Sequence, residues 1–199
     1  GVIAWSQELG IPPDPARWQA LEQQWFLAYE HGKLTHSGQR AARVREYLHE
    51  PKLSETAALQ LFDGFLHQYI ASMQPFSGAA EVLEQCFDCG QLVGIATNGA
   101  ASLQTTKLRT TGLWDDRLIM LAAVEMEAAK PNPEFYTRAL DIVGTTPADT
   151  IMVGDTLPND VLAPIAAGIA AIYIDHAGTG TTDPRYPTIR DLSELLNAP

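Results

Sequence analysis

The chain has 199 residues, 46% of them hydrophobic and 19% charged, which fits one globular domain or one domain with a modest insert and excludes a disordered or low-complexity polypeptide. A net charge of −11 argues against nucleic acid or an anionic membrane surface as a partner held by bulk electrostatics, so a phosphate-bearing ligand would need a local positive centre such as a metal ion. No apolar run approaches the roughly 18 residues of a membrane span, and no basic-then-apolar leader opens the sequence, so a reducing cytoplasm is the expected location.

From Trp5 to about Ser72 the pattern is helical. In ARWQALEQQWFLAYEHG, SGQRAARVREYLHE and SETAALQLFDGFLHQYIASM the aromatic and aliphatic positions recur every three and four residues, with Pro12-Pro13, Gly32 and Pro51 breaking the runs. Residues 1–74 are therefore expected to form a small helical bundle. Arg40, Arg43 and Arg45 stand out against the acidic background of the second run. The usual exposure of arginine predicts a solvated helix surface for them, with contact to a substrate anion as the alternative.

From Pro75 to the end, residues 75–199, helical and β-like runs alternate. GAAEVLEQCFDC reads as a helix, QLVGIAT as a strand, ASLQTTKLRTTG as a helix and RLIMLAAV as a strand. A helix from NPEFYTRALDIVG follows, then the strand TIMVG, a helix from NDVLAPIAAG and the strand AAIYID. Such alternation predicts right-handed crossovers and a Rossmann-like parallel sheet covered by helices on both faces. Cys86 and Cys89 form a CxxC late in the first of these helices, with no second pair to complete a zinc site, and read as reduced structural thiols. The five histidines have no metal-ligand spacing, and no feature sets an oligomeric state.

Polar residues gather where strands end, which is where open α/β sheets keep their ligands. Thr97-Asn98-Gly99 follows the first strand and offers a hydroxyl, an amide and open backbone to an anion, or simply caps a helix. Lys130 lies in AAKPNPEF, where Pro131 and Pro133 stiffen the loop, although an isolated lysine before a helix is ordinarily a solvated charge. The run IMVGDTLPND places Asp155 at a strand end and Asp160 five positions later. Two carboxylates around a short turn can share a hard cation, and magnesium suits such a site because it keeps several waters.

A hydroxyl after one strand, Lys-Pro after the next, and Gly-Asp with a later Asp form an ordered pattern that resembles the haloacid dehalogenase-like (HAD) superfamily of hydrolases. The resemblance runs from about Phe76 to Asp175, through GIATNGAASLQTTKL, AAKPNPEFYTRALDIVG and IMVGDTLPNDVLAPIAAGI. The helical first part resembles the cap that this superfamily's phosphatases insert between their first two motifs. The resemblance implies Mg²⁺-dependent hydrolysis of a small phosphorylated metabolite through an aspartyl-phosphate. Thr97 and Asn98 would bind the phosphoryl group, Lys130 would neutralise charge, and Asp155 and Asp160 would hold or orient the metal. Glu125 and Glu127 either orient Lys130 or remain solvated acids. A 2-haloacid dehalogenase or a phosphomutase of the same superfamily is the alternative enzyme, and a binding or regulatory module without catalysis is the alternative of another class.

The superfamily's first motif, an Asp-x-Asp pair after a central first strand, has no counterpart here, since no Asp-x-Asp occurs and Asp115 and Asp116 are adjacent. The resemblance therefore implies a sheet that lacks its middle strand and a chain that has a phosphate cradle but no nucleophile. The expectation is that the natural protein carries about 10 to 25 further N-terminal residues, enough for one strand and its loop.

Overall fold

Side-chain caps open the longer helices of the first part of the chain. A computed structural model describes residues 1–180 and 183–197, and the chain divides into two units at Gln74–Pro75. In the first, α1 (Val2–Glu8) is followed by α2 (Pro15–Glu30), α3 (His36–Tyr47) and α4 (Glu55–Ala71). Asp14 accepts from Arg17 N, Thr35 from Gly38 N and Ser54 from Ala57 N, each satisfying an amide that the first helical turn leaves without a partner. The four helices bury one cluster that includes Trp5, Trp18, Val44, Tyr47, Phe62 and Phe65. Trp18 is its centre, with ring centroids 5.0 Å from Trp5 and 4.6 Å from Phe65. The Tyr47 hydroxyl is satisfied inside this apolar mass, bonded to Ser6 Oγ at 2.8 Å and accepting from Asp14 N at 3.0 Å.

Arg43 departs from the solvated role expected of it. It is 3% exposed, and its guanidinium carbon lies 4.5 Å from the centroid of Trp18 and 5.3 Å from that of Phe62. Desolvation pulls its pKa below the ordinary value, opposed by the Glu22 carboxylate. Arg40 and Arg45 are only partly buried.

The second unit is an α/β fold. Its order is α5 (Ala79–Asp88), β1 (Gly94–Thr97), α6 (Ala101–Thr110), β2 (Ile119–Ala122), α7 (Ala123–Met126), α8 (Pro133–Val143), β3 (Ile151–Gly154), α9 (Ala163–Ala166), β4 (Ala170–Ile174) and β5 (Thr188–Ile189). Every strand pair within its sheets is parallel, as strands joined through helices require. The pairs make two sheets, β1–β2 and β3–β4–β5, rather than the single sheet expected, because among the described residues β1 pairs only with β2 and β3 only with β4. Neither β1 nor β3 holds a fully buried residue, whereas β2 buries Leu121 and Ala122 and β4 buries Ala171, Tyr173 and Ile174. Ile151 at the start of β3 is 63% exposed and Leu92 before β1 is 67% exposed.

Three further local features differ from the sequence pattern. The helix expected from NDVLAPIAAG is a π-helical stretch over Leu157–Leu162 that tightens into α9. Pro164 has no amide to give an α-helical ladder, and the wider turn before it accommodates that loss. The two-residue β5 is too short to leave a period in the sequence. Cys86 is half-buried and Cys89 exposed at the end of α5, so burial is not what keeps this pair.

Trp5 is 1% exposed at the meeting point of α1, α2 and α4. Trp5→Ala is expected to cost about 3–5 kcal/mol of stability. Urea unfolding followed by circular dichroism measures it, and an unchanged midpoint would contradict this account of the core.

Candidate active site

The carboxyl ends of β1 and β3 and the loop before α8 come together around one lysine. Lys130 is 7% exposed, and its ammonium donates to the carbonyl of Ala96 in β1 at 3.0 Å and to Oδ1 of Asp160 at 2.6 Å. A buried ammonium is tolerated only when paired and hydrogen-bonded, and both conditions are met. The main chain of the same residue is held by Asn98, whose Oδ1 accepts from Lys130 N at 2.7 Å and whose Nδ2 donates to Lys130 O at 2.8 Å. The loop carrying the lysine is therefore fastened to the end of β1 through both the main-chain N–H and the carbonyl of one residue. The Lys130–Pro131 peptide is cis.

Asp160 is 6% exposed and uses both of its oxygens: Oδ1 receives Lys130, and Oδ2 accepts from Thr156 N at 3.1 Å. It folds back over the end of β3. A Cβ on Gly154 would lie 2.5 Å from Asp160 Cβ and 2.6 Å from its Cγ, so a side chain at 154 and this carboxylate exclude each other. Asn159 is held alongside by its carbonyl, which accepts from the Tyr136 hydroxyl at 2.5 Å. A π-helical turn carries both Asn159 and Asp160, a local geometry frequent at functional sites.

Asp155 stands differently. Its carboxylate is exposed just beyond β3 and makes no hydrogen bond or ion pair to a described residue. Thr97 is half-buried at the end of β1, where its Oγ1 accepts from Gly99 N at 3.1 Å and keeps its own proton to donate. Thus Lys130, Asp160 and Asn98 are bonded together, while Thr97 and Asp155 flank them at the two strand ends without contacting the lysine. Glu125 does not orient Lys130: both of its oxygens accept from Ala101 N, placing a negative charge at the start of α6. Glu127 is exposed, with a left-handed backbone.

Among the described residues no group of three or more His, Cys, Asp or Glu side chains gathers as a complete metal cage. The donors nevertheless suit magnesium, which binds through one or two carboxylates and keeps its remaining waters. The oxygens of Asp155 are uncommitted, whereas those of Asp160 are occupied by Lys130 and Thr156 N, so Asp155 fits the ligand role and Asp160 the orienting one. The second unit also carries 16 of the 24 acidic residues and seven of the 13 basic ones, a background that favours a cation over a bare anion.

Two contributions were not legible in the sequence. The carbonyl of Ala96 faces away from β2 and takes the lysine, which follows from strand pairing alone. Asn98 acts through its side chain on the main chain of Lys130, 32 residues away, where binding of a phosphoryl group was expected of it. The glycine before Asp155 was the one available signal of the close approach of Asp160.

The profile of the family described as haloacid dehalogenase-like hydrolase matches residues 20–174. Pyrimidine 5′-nucleotidase YjjG of Escherichia coli (strain K12) is 27% identical over 79% of this chain and 69% of its own length. Phosphoserine phosphatase of Thermus thermophilus is 31% identical over 77% of this chain and 62% of its own length, so the match takes in only part of either relative. Among solved structures, the magnesium-bound HAD-hydrolase YfnB of Bacillus subtilis superposes with a TM-score of 0.83 at 22% identity, over 98% of this chain and 86% of its own. An L-2-haloacid dehalogenase from Xanthobacter autotrophicus does so at 0.71 and 17%, over 98% and 90%. These two likenesses are of fold.

Gly154→Ala sets a methyl group against Asp160 and is expected to destabilise the protein by about 1–3 kcal/mol. Chemical unfolding of the variant beside the parent checks this, and equal midpoints would mean that Asp160 moves aside at no cost.

Proposed function

This chain belongs to the haloacid dehalogenase-like hydrolases, and from that premise we propose that it is the larger part of a Mg²⁺-dependent phosphatase acting on a small phosphorylated metabolite. The observation that carries the proposal is the buried ammonium of Lys130, fixed by Ala96 O and Asp160 at the strand ends, with the open carboxylate of Asp155 beside the same turn. A phosphoryl group in transfer spreads its charge over oxygens, and a fixed ammonium with fixed donors stabilises that charge without reorganising.

In this reading Thr97 donates its hydroxyl proton to a phosphoryl oxygen. Lys130 balances the negative charge that builds between the attacking carboxylate and the phosphoryl group. Asp160 keeps the ammonium at the strand ends, and Asn98 keeps the loop that carries it. Asp155 would hold Mg²⁺, which when bound supplies further positive charge to the phosphoryl oxygens. The attacking carboxylate is not among these residues. The reading places it on an extended segment between β1 and β3, whose unpaired edges suit one more strand. Its oxygen bonds to phosphorus as the bond to the leaving oxygen breaks, and water then cleaves the acyl phosphate.

The names of the curated relatives, a nucleotidase and a phosphoserine phosphatase, support phosphate ester hydrolysis as the reaction class. The uncommitted carboxylate of Asp155 favours a metal-dependent phosphatase over a dehalogenase. We further propose that residues 1–74 serve as the cap that closes over the site and excludes water, with the second unit as the catalytic core.

The complete protein is expected to hydrolyse an aryl phosphate, to lose that activity with EDTA and to regain it with Mg²⁺. Activity indifferent to chelation would remove the metal from the proposal. Asp155→Asn is expected to abolish the response to Mg²⁺, and Lys130→Met to lower kcat by about 10²- to 10³-fold. Steady-state kinetics over a magnesium series reads both, and a fully active variant at either position would refute the role given to it.

A further inference from the structure

One polar side chain beside the turn after β1 has no structural duty. Gln104 lies in the first turn of α6, where its main-chain N–H donates to Ala100 O at 3.2 Å, and it is half-buried. Its carboxamide makes no hydrogen bond to a described residue. Helical side chains lean toward the start of their helix, so a residue at this place reaches back along the first turn toward the strand end.

Gly99 shows how far Gln104 reaches. A Cβ at position 99 would lie 2.9 Å from Gln104 Nε2 and 3.5 Å from Thr97 Oγ1, so the amide and the threonine hydroxyl flank the same glycine. The backbone of Gly99 is not left-handed, and conformational freedom is therefore not what glycine supplies here. It supplies room for the amide. The start of α6 is fixed as well, because Glu125 accepts from Ala101 N with both oxygens, at 3.0 and 3.1 Å. The turn from Thr97 to Gln104 is thus held by β1 at one end and by Glu125 at the other, and an amide carried on a fixed turn is an oriented donor. Thr97 Oγ1 accepts from Gly99 N and has its own proton to give, which makes two donors from two elements at one strand end.

We infer that Gln104 is a substrate-contacting residue, its Nε2 donating to a phosphoryl oxygen beside the Thr97 hydroxyl, and that Gly99 is the opening that admits it. The inference rests on the phosphatase reading and adds a residue to that site. A phosphoryl oxygen only accepts, so it takes the NH₂ group of the amide. Being neutral, the amide contributes a directed hydrogen bond without adding to the positive charge of Lys130.

Kinetics of the complete protein with an aryl phosphate, and with inorganic phosphate as inhibitor, test it. Gln104→Leu keeps the bulk and removes the donor. It is expected to raise KM and the Ki of phosphate together by about 10- to 100-fold, the worth of one hydrogen bond to a charged acceptor, with a smaller change in kcat and an unchanged urea midpoint. Gly99→Ala sets a methyl group against the amide and is expected to give the same change, with the double variant no worse than either alone. Gln104→Glu turns a carboxylate toward the phosphoryl oxygens and should bind phosphate most weakly of all. Parental KM and Ki in Gln104→Leu would overturn the inference while leaving the phosphatase reading in place, as would additive changes in the double variant. A parent protein that neither hydrolyses the ester nor is inhibited by phosphate would overturn both.

Discussion

One buried ammonium organises the ends of the strands. Lys130 brings a full charge into a place with little water, and the surrounding chain is arranged to keep it there: a strand carbonyl, a carboxylate and a two-way amide clamp. The pair it forms with Asp160 is worth most as a constraint on position. Removing one member of a buried ion pair typically costs about 3–5 kcal/mol, because the other is left charged and uncompensated. Residues 96–98, 130, 154 and 160 therefore behave as one unit although they come from three separate stretches of chain.

The helical unit buries its own cation by a different means. Arg43 is surrounded by aromatic faces, whose negative quadrupole attracts a guanidinium but offers it no hydrogen bonds. Lys130 is surrounded by oxygens and sits within bonding distance of two of them. The contrast follows from the side chains themselves: a compact ammonium needs acceptors, whereas a flat and weakly hydrated guanidinium can be packed like a ring. In both places burial is what turns an ordinary surface residue into an oriented one.

Most of the architecture was legible in the sequence because it is written in periods. Three- and four-residue spacing marked α2, α3 and α4, and short apolar runs between helices marked β1 to β4. Gly-Asp at the end of β3 and Lys-Pro before α8 marked two of the stretches that the fold brings together around Lys130. What escaped has no period. The depth of Arg43 depends on rings from α2 and α4, which no local pattern reports. The clamp between Asn98 and Lys130 joins residues 32 positions apart, and the π-helical turn arises from a proline that a helical pattern merely tolerates. The division into two sheets is a matter of pairing, which apolar runs alone do not specify.

The unpaired edges of β1 and β3 have a consequence outside catalysis. Among the described residues these edges leave main-chain donors and acceptors without a strand partner, Ala96 O being taken by Lys130, and with exposed Leu92 and Ile151 beside them they form a template on which an extended polypeptide can pair its backbone. Natural sheets blunt such borders with prolines, lysines or bulges, and neither four-residue strand contains any of the first two. Held in solution by itself, this polypeptide is therefore exposed to self-association through its β-structure, and its solubility depends on what occupies that slot.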